Sequence, residues 1–309
     1  MKSLSVHLSN YLKLRRQLGF KLRMPGRLLP NFVRFAEQER ASFITTKLAL
    51  RWATRLSNLK PAQRAYRLSM VRRFAAYLSA VDPRTEVPNQ NLLPYKSGRR
   101  TPHLYRDEDV LRLIDAAWQI YPAHELKGAA CATLFGLLAV TGMRIGEALG
   151  LDRADVDLDL GLVTVRRAKG NKSRLVPLHA STQQALRRYA AMRDGVHTRP
   201  ESPSFFVSER GTRLIHGTVN RWFLLVACRV GLRKPGDRRG PRAHDLRHHF
   251  AIRTMLRWYQ SNTDVEVHLP DLSTYLGHVN VSDTYWYLSA VPELLMLATL
   301  RWQRKGTRQ

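Results

Sequence analysis

Four short segments of this 309-residue chain carry side chains that together could break and remake a phosphodiester. They are Thr141-Gly142-Met143-Arg144-Ile145-Gly146-Glu147, the turn Lys169-Gly170-Asn171-Lys172, His244-Asp245-Leu246-Arg247-His248-His249, and Leu276-Gly277-His278 followed by Tyr285-Trp286-Tyr287. Phosphoryl transfer puts extra charge on the nonbridging oxygens of a pentacoordinate phosphorus. Guanidinium groups are always cationic and hold two oxygens at once, so Arg144 and Arg247 suit a phosphate clamp. A tyrosine can attack the phosphorus and keep the bond energy in a covalent intermediate for rejoining. Its phenol has an ordinary pKa of about 10, so a cation or a base must help it ionise. His244 is placed to take that proton and return it in the reverse step. The departing oxygen needs a proton in turn, which a lysine on a turn can deliver. Each residue also has a structural reading: Arg144 pairing with Glu147 one turn on, Arg247 at the surface, Lys169 as a turn residue, and the three aromatics as core.

The elements that would hold these residues follow from hydrophobic spacing. From Tyr105 onward, Leu111, Leu113/Ile114 and Trp118 recur at helical intervals behind Asp107 or Asp109 as a cap, and a very apolar helix covers about 127–140. Residues 162–168 and 174–178 are short β-branched runs flanking the lysine turn, which predicts an antiparallel hairpin. Helices are expected again at about 181–193, 216–229, 245–258 and 292–304. Upstream, residues 1–81 read as four short helices with apolar stripes such as Leu4, Leu8, Tyr11/Leu12 and Leu48, Trp52, Leu56, and with Arg15, Arg16, Arg51, Arg55, Arg64, Arg67, Arg72 and Arg73 on the opposite faces. Aromatics at this spacing are read as core. The four prolines of residues 82–102 predict a linker. The fold class is therefore mainly α: an N-terminal four-helix DNA-binding bundle over 1–81, the linker, and a larger, mostly helical catalytic domain over 103–309 with a small antiparallel sheet and a C-terminal helix.

Charge names the class of partner. Lys and Arg number 51 against 24 Asp and Glu, a net +27, of which the first hundred residues carry +17. Such an excess repels itself unless it meets a polyanion, so nucleic acid is the leading partner. Cys131 and Cys228 form no finger or CxxC spacing and read as buried thiols of a reduced cytoplasmic protein. No signal-peptide pattern and no apolar run of membrane length occur, and the absence of a Gly-Lys dipeptide excludes a Walker loop. His244, His248, His249 and His278 could in principle build a zinc site, though the protease arrangement with an intervening glutamate is missing.

Arg144, the turn lysine, His244-x-x-Arg247, His278 and Tyr287, in this order, resemble the signature of the tyrosine recombinase (phage-integrase-like, Xer-like) family over about residues 105–290. The N-terminal bundle matches only in position, size and basic character. The resemblance implies a site-specific DNA recombinase, an integrase of mobile-element type, acting through a 3′-phosphotyrosine. It implies Lys169 as the general acid, with Lys172 in reserve, and Tyr287 as nucleophile in preference to Tyr285, because its nine-residue offset from His278 fits the family. His278 would bind the phosphate and Glu147 would orient Arg144 or the His244 region. No metal or cofactor is implied, since arginine and lysine do that work. Implied partners are double-stranded DNA with paired recombination sites and a homo-tetramer on DNA, possible partners including related recombinases; localisation would be cytoplasmic and nucleoid-associated. The C-terminal helix would either cover the protein's own core or dock on a neighbouring protomer, and a family that works as tetramers favours docking. The stretch 260–267 departs from the pattern as an insertion. Two rival readings share the motifs, a type IB topoisomerase and an inactive sequence-specific DNA-binding protein.

Overall fold

Short hydroxyl side chains start two of the first helices. Ser3 Oγ accepts from the Val6 N–H ahead of α1 (Leu4–Gln17), and Thr45 Oγ1 accepts from Leu48 N–H (3.1 Å) ahead of α3 (Thr46–Thr54). Between them lies α2 (Arg23–Gln38), and α4 (Pro61–Leu78) begins on a proline, whose missing N–H costs nothing in a first turn. The computed structural model describes residues 3–95, 101–166, 173–199, 201–237, 239–261 and 263–306, except the side chains of 289, 290, 301, 302 and 304–306. It divides into two units, Met1–Arg100 and Thr101–Gln309.

In the first unit the helical stripes meet as expected, and Tyr11, Phe32, Trp52 and Phe74 are core. Arg67 departs from the expected outer basic face. It is buried, its guanidinium lies 3.8 Å from the centre of the Trp52 ring, and it donates to the Trp52 carbonyl (3.0 Å). A planar cation can stack on indole and satisfy a helix-end carbonyl at the same time. After α4 the proline-bearing chain stays fastened to this unit: Glu86 N–H donates to the Ile44 carbonyl, its carboxylate receives Thr46 N–H, and Leu93 packs on the core.

The second unit is built on α6 (Glu125–Thr141), apolar all round and buried on all sides between α5 (Asp107–Gln119), α8 (Ala180–Val196) and α10 (Asp245–Gln260). The start of α5 differs from expectation. Arg106 is the capping position, and Asp109 reaches back to its N–H (3.1 Å) from inside the first turn. α7 (Ile145–Ala148) and a 3₁₀ turn lead into an antiparallel sheet of β1 (Val156–Asp157), β2 (Leu162–Val165) and β3 (Arg174–Pro177), in that order, with Val163 opposite Val176 and Val165 opposite Arg174. Val163, Val165 and Val176 face the core while Leu175 faces out, the two-residue alternation of a one-sided sheet. α9 (His216–Arg229) closes this core. Cys131 is buried, but Cys228 is only half-buried, because it stands beside the buried stripe of Val219, Trp222, Phe223, Val226 and Ala227 rather than in it.

A smaller core joins α10 to α11 (Val265–Leu276), α12 (Ser282–Ala290) and α13 (Pro292–Gly306) through Met255, Leu269, Leu272, Leu276 and Leu294. The sequence reading missed α11 and α12. Gln260 ends α10 and Val265–Val267 begin α11, so the stretch read as an insertion is in part the end of one helix and the start of the next. The first turn of α13 packs on its own chain through Leu294, while Leu295, Met296 and Leu300 are exposed. Among the described residues no helix is long and apolar enough to cross a membrane.

Candidate active site

Two glycine turns bring the site together. Gly142 ends α6 and Gly277 ends α11, both left-handed (φ 60° and 67°). A Cβ on Gly142 would lie 2.6 Å from Phe250 Cδ1, and one on Gly277 would lie 2.9 Å from Arg174 Nη1, so conformation and space both demand glycine. These turns aim helix-end carbonyls, with their partial negative charge, at one place. Arg247 donates through Nη1 to the Gly142 carbonyl and through Nη2 to that of Leu276, both at 2.7 Å. Arg144 donates through Nη2 to the Gly277 carbonyl (2.8 Å). A guanidinium has five N–H donors, more than these contacts use.

Glu147 binds the frame. Its carboxylate accepts from Arg144 N–H (3.0 Å), from Arg144 Nη1 (2.7 Å) and from Arg174 Nη2 (2.7 Å). Burial pushes this carboxyl up, but hydrogen bonds and charge from Arg174, joined by Arg144, outweigh it and hold the group below its ordinary value. A carboxylate this buried stays ionised only because it is paired. Arg144 therefore makes the Glu147 pair of its structural reading and faces the candidate site as well. Arg174, the first residue of β3, was missed. The available signal was an arginine opening an otherwise apolar strand, on the hairpin that carries the candidate lysines. Lys169 and Lys172 themselves lie outside the described residues.

His244 stands just before α10 and Arg247 and His248 lie in its first turn, with the two imidazoles 4.9 Å apart as positions four residues apart require. Arg247 is buried, and burial, then the charge of Arg144, lowers its pKa to about 10, so it is still a cation at neutral pH. On α12, Tyr287 is 2 % exposed and Tyr285 48 %. Burial raises the Tyr287 phenol, while charge and hydrogen bonding from Arg247 and charge from Arg144 pull it down; the net shift is upward. The imidazole within hydrogen-bonding reach of this phenol is that of His248, whose Nδ1 lies at 3.1 Å, on the histidine that follows Arg247. His278 stacks on the Tyr287 ring at 6.4 Å and its Nδ1 lies 2.8 Å from Thr284 Oγ1. His249 turns the other way, to the Tyr105 carbonyl (3.1 Å) and Asp107. His249 thus stands apart from the other three histidines, and among the described residues no group of three metal-ligating side chains is found. Arg144, Glu147, His244, Arg247, His278 and Tyr287 do lie together around the glycine turns.

The phage integrase family matches residues 104–293, a span that holds every one of these positions. The integrase/recombinase y4rB of Sinorhizobium fredii is 46% identical over 299 residues, covering 96% of this chain and 95% of that one. Tyrosine recombinase XerD of Caulobacter vibrioides is 29% identical over 77% of this chain and 73% of its own. The Tn1549 transposon integrase, solved in complex with transposon right end DNA, shares the fold at a TM-score of 0.67 and 16% identity, over 96% of this chain and 98% of that one. The chain belongs to the phage integrase family of tyrosine recombinases, which makes it a site-specific recombinase.

Proposed function

We propose that this recombinase cleaves and rejoins double-stranded DNA through a 3′-phosphotyrosine on Tyr287, in the service of a mobile element. The observation that carries the reading is that Arg247 and Arg144 converge on the helix-end carbonyls of Leu276 and Gly277, in the same site as the buried Tyr287. The arginines hold the nonbridging oxygens and stabilise charge that grows in the transition state. Glu147 fixes Arg144, and His278, held by Thr284, adds a donor to the phosphate. An imidazole at the start of α10 takes the phenol proton. Lys169, by family resemblance, protonates the departing 5′-oxygen, with Lys172 as the alternative. Four protomers on paired sites exchange strands, and the exposed Leu295, Met296 and Leu300 of α13 dock on a neighbour. The N-terminal four-helix unit supplies a second basic grip on DNA.

The test uses a nicked duplex carrying the sequence that the full-length protein selects from a random pool. Wild type and Tyr285→Phe should form a covalent adduct on it and Tyr287→Phe should not; the reverse pattern moves the nucleophile. A 5′-bridging phosphorothiolate, whose sulfur leaves without a proton, should rescue Lys169→Ala. Rescue of Lys172→Ala instead reassigns the acid. A supercoiled plasmid without the site should stay supercoiled, whereas relaxation would favour topoisomerase chemistry.

A further inference from the structure

His248 is not among the residues whose types first pointed to the chemistry, yet its ring is the one against the phenol. Its Nδ1 lies 3.1 Å from the Tyr287 hydroxyl, and the side chain is nearly buried between the Tyr287, Trp286 and His244 rings. On its far side Nε2 faces Asp245 Oδ1 at 3.9 Å, and Asp245 is buried and held by Arg242 Nη2 (2.6 Å). A carboxylate on that side favours the tautomer with the proton on Nε2. Nδ1 is then the acceptor and the tyrosine the donor. Asp245, His248 and Tyr287 thus form a file in which carboxylate, imidazole and hydroxyl stand in the order of a hydrolytic triad.

We infer that His248, rather than His244, takes the proton from Tyr287 during strand cleavage and returns it on rejoining, an assignment that rests on Tyr287 being the nucleophile. The hydroxyl proton passes to His248 Nδ1 as the phenolic oxygen bonds to phosphorus. The bond from phosphorus to the 5′-oxygen breaks, and that oxygen leaves with the electron pair and receives a proton from the general acid of the hairpin. In the return step the 5′-hydroxyl attacks the phosphotyrosine, and the phenolic oxygen leaves and recovers the proton from Nδ1. Buried Asp245 opposes the positive charge that builds on the ring. His244, which contacts His248 edge-on rather than the phenol, is left to the phosphate side.

The same file makes the base weak at rest. Burial, the neighbouring His244 and the charges of Arg242 and Arg247 depress His248 to about 4, against the upward pull of Asp245. A phosphodiester seated on Arg144 and Arg247 offsets that positive field, so the imidazole becomes a stronger base only when substrate is present. The tyrosine is thereby kept protonated until DNA arrives.

The test is single-turnover adduct formation by the full chain on the nicked selected duplex, followed across pH. Wild type should lose rate toward acid pH as the base is protonated. His248→Gln should be slower by a factor on the order of 10² or more and should lose that acid limb. His244→Gln should be slowed but should keep it. Binding of the duplex and the histidine ¹⁵N spectrum report folding independently: in the DNA-free protein one imidazole Nδ1 should shift on Tyr287→Phe and vanish in His248→Gln. A rate within about threefold of wild type in His248→Gln, or an acid limb lost in His244→Gln instead, overturns the assignment. An adduct that persists in Tyr287→Phe overturns the nucleophile beneath it, and is told apart because no histidine variant enters that comparison.

Discussion

Arg247 is buried, and both of its terminal nitrogens already hold helix-end carbonyls. Lysine, a point charge without the planar fork, cannot keep that geometry and reach a phosphate. Arg247→Ala is therefore expected to slow cleavage on the order of 10²–10³-fold, as loss of a transition-state donor does, and Arg247→Lys to recover little of it. Duplex affinity should change by far less, which a binding assay beside the cleavage assay checks. The buried histidine beside it has a consequence for stability. The folded-state pKa of His248 lies below the ordinary 6.5, at about 4, so between these values the unfolded chain binds more protons. Stability then rises with pH through this window, and the fold forfeits about 3 kcal/mol as pH falls through it. Thermal unfolding of wild type should weaken from about pH 6.5 toward 4, and His248→Gln should flatten that slope. An unchanged slope would mean that the imidazole is solvated.

At the scale of elements, the site is a meeting of chain ends: α6 and α11 stop on glycines, α7 and α10 start beside them, and β3 enters from the hairpin. Gly277→Ala is expected to cost about 1–2 kcal/mol for the left-handed backbone and to displace Arg174, so activity should fall more than melting temperature suggests. Arg174 and Glu147 should be coupled. In a double-mutant cycle on cleavage rate, the Arg174→Ala and Glu147→Gln effects should be strongly non-additive, because both changes break the same Arg174–Glu147 ion pair. Additive effects would detach the hairpin from the clamp. The motifs Arg144-x-x-Glu147 and His244-x-x-Arg247 were legible in the sequence because short spacings within one helix turn fix their own geometry. So was α6, whose apolar run leaves it no exposed face. Arg174 and His248 were not, since their roles depend on partners far away in sequence, Glu147 on α7 and Tyr287 on α12. α11 escaped because Pro270 and the polar residues around it mask a stripe of Val265, Leu269, Leu272 and Leu276 that only the packed structure displays.

At the scale of the whole molecule, the dominant property is charge, and it is uneven: the first hundred residues carry 21 Lys and Arg against four Asp and Glu. The first unit buries one of these arginines, Arg67, against Trp52, while Arg16, Arg55 and Arg73 stay exposed. Exposed arginines that neutralise phosphates release counterions, so duplex affinity of the full chain should fall steeply with salt. Replacing one phosphate-contacting arginine should lower the slope of log affinity against log salt by about one. Arg55→Ala and Arg73→Ala are the variants to measure. An unchanged slope in both, singly and together, would remove those faces of the first unit from the DNA-binding surface.

The central claim is the bond between DNA and one particular phenol. The measurement is to trap the full-length protein on the nicked selected duplex, digest protein and DNA, and locate the remaining nucleotide by fragmenting the peptide that contains Tyr285, Trp286 and Tyr287. A 3′-phosphate ester is expected on Tyr287 with Tyr285 unmodified; a nucleotide on Tyr285, or a trapped complex with neither tyrosine modified, would contradict that bond.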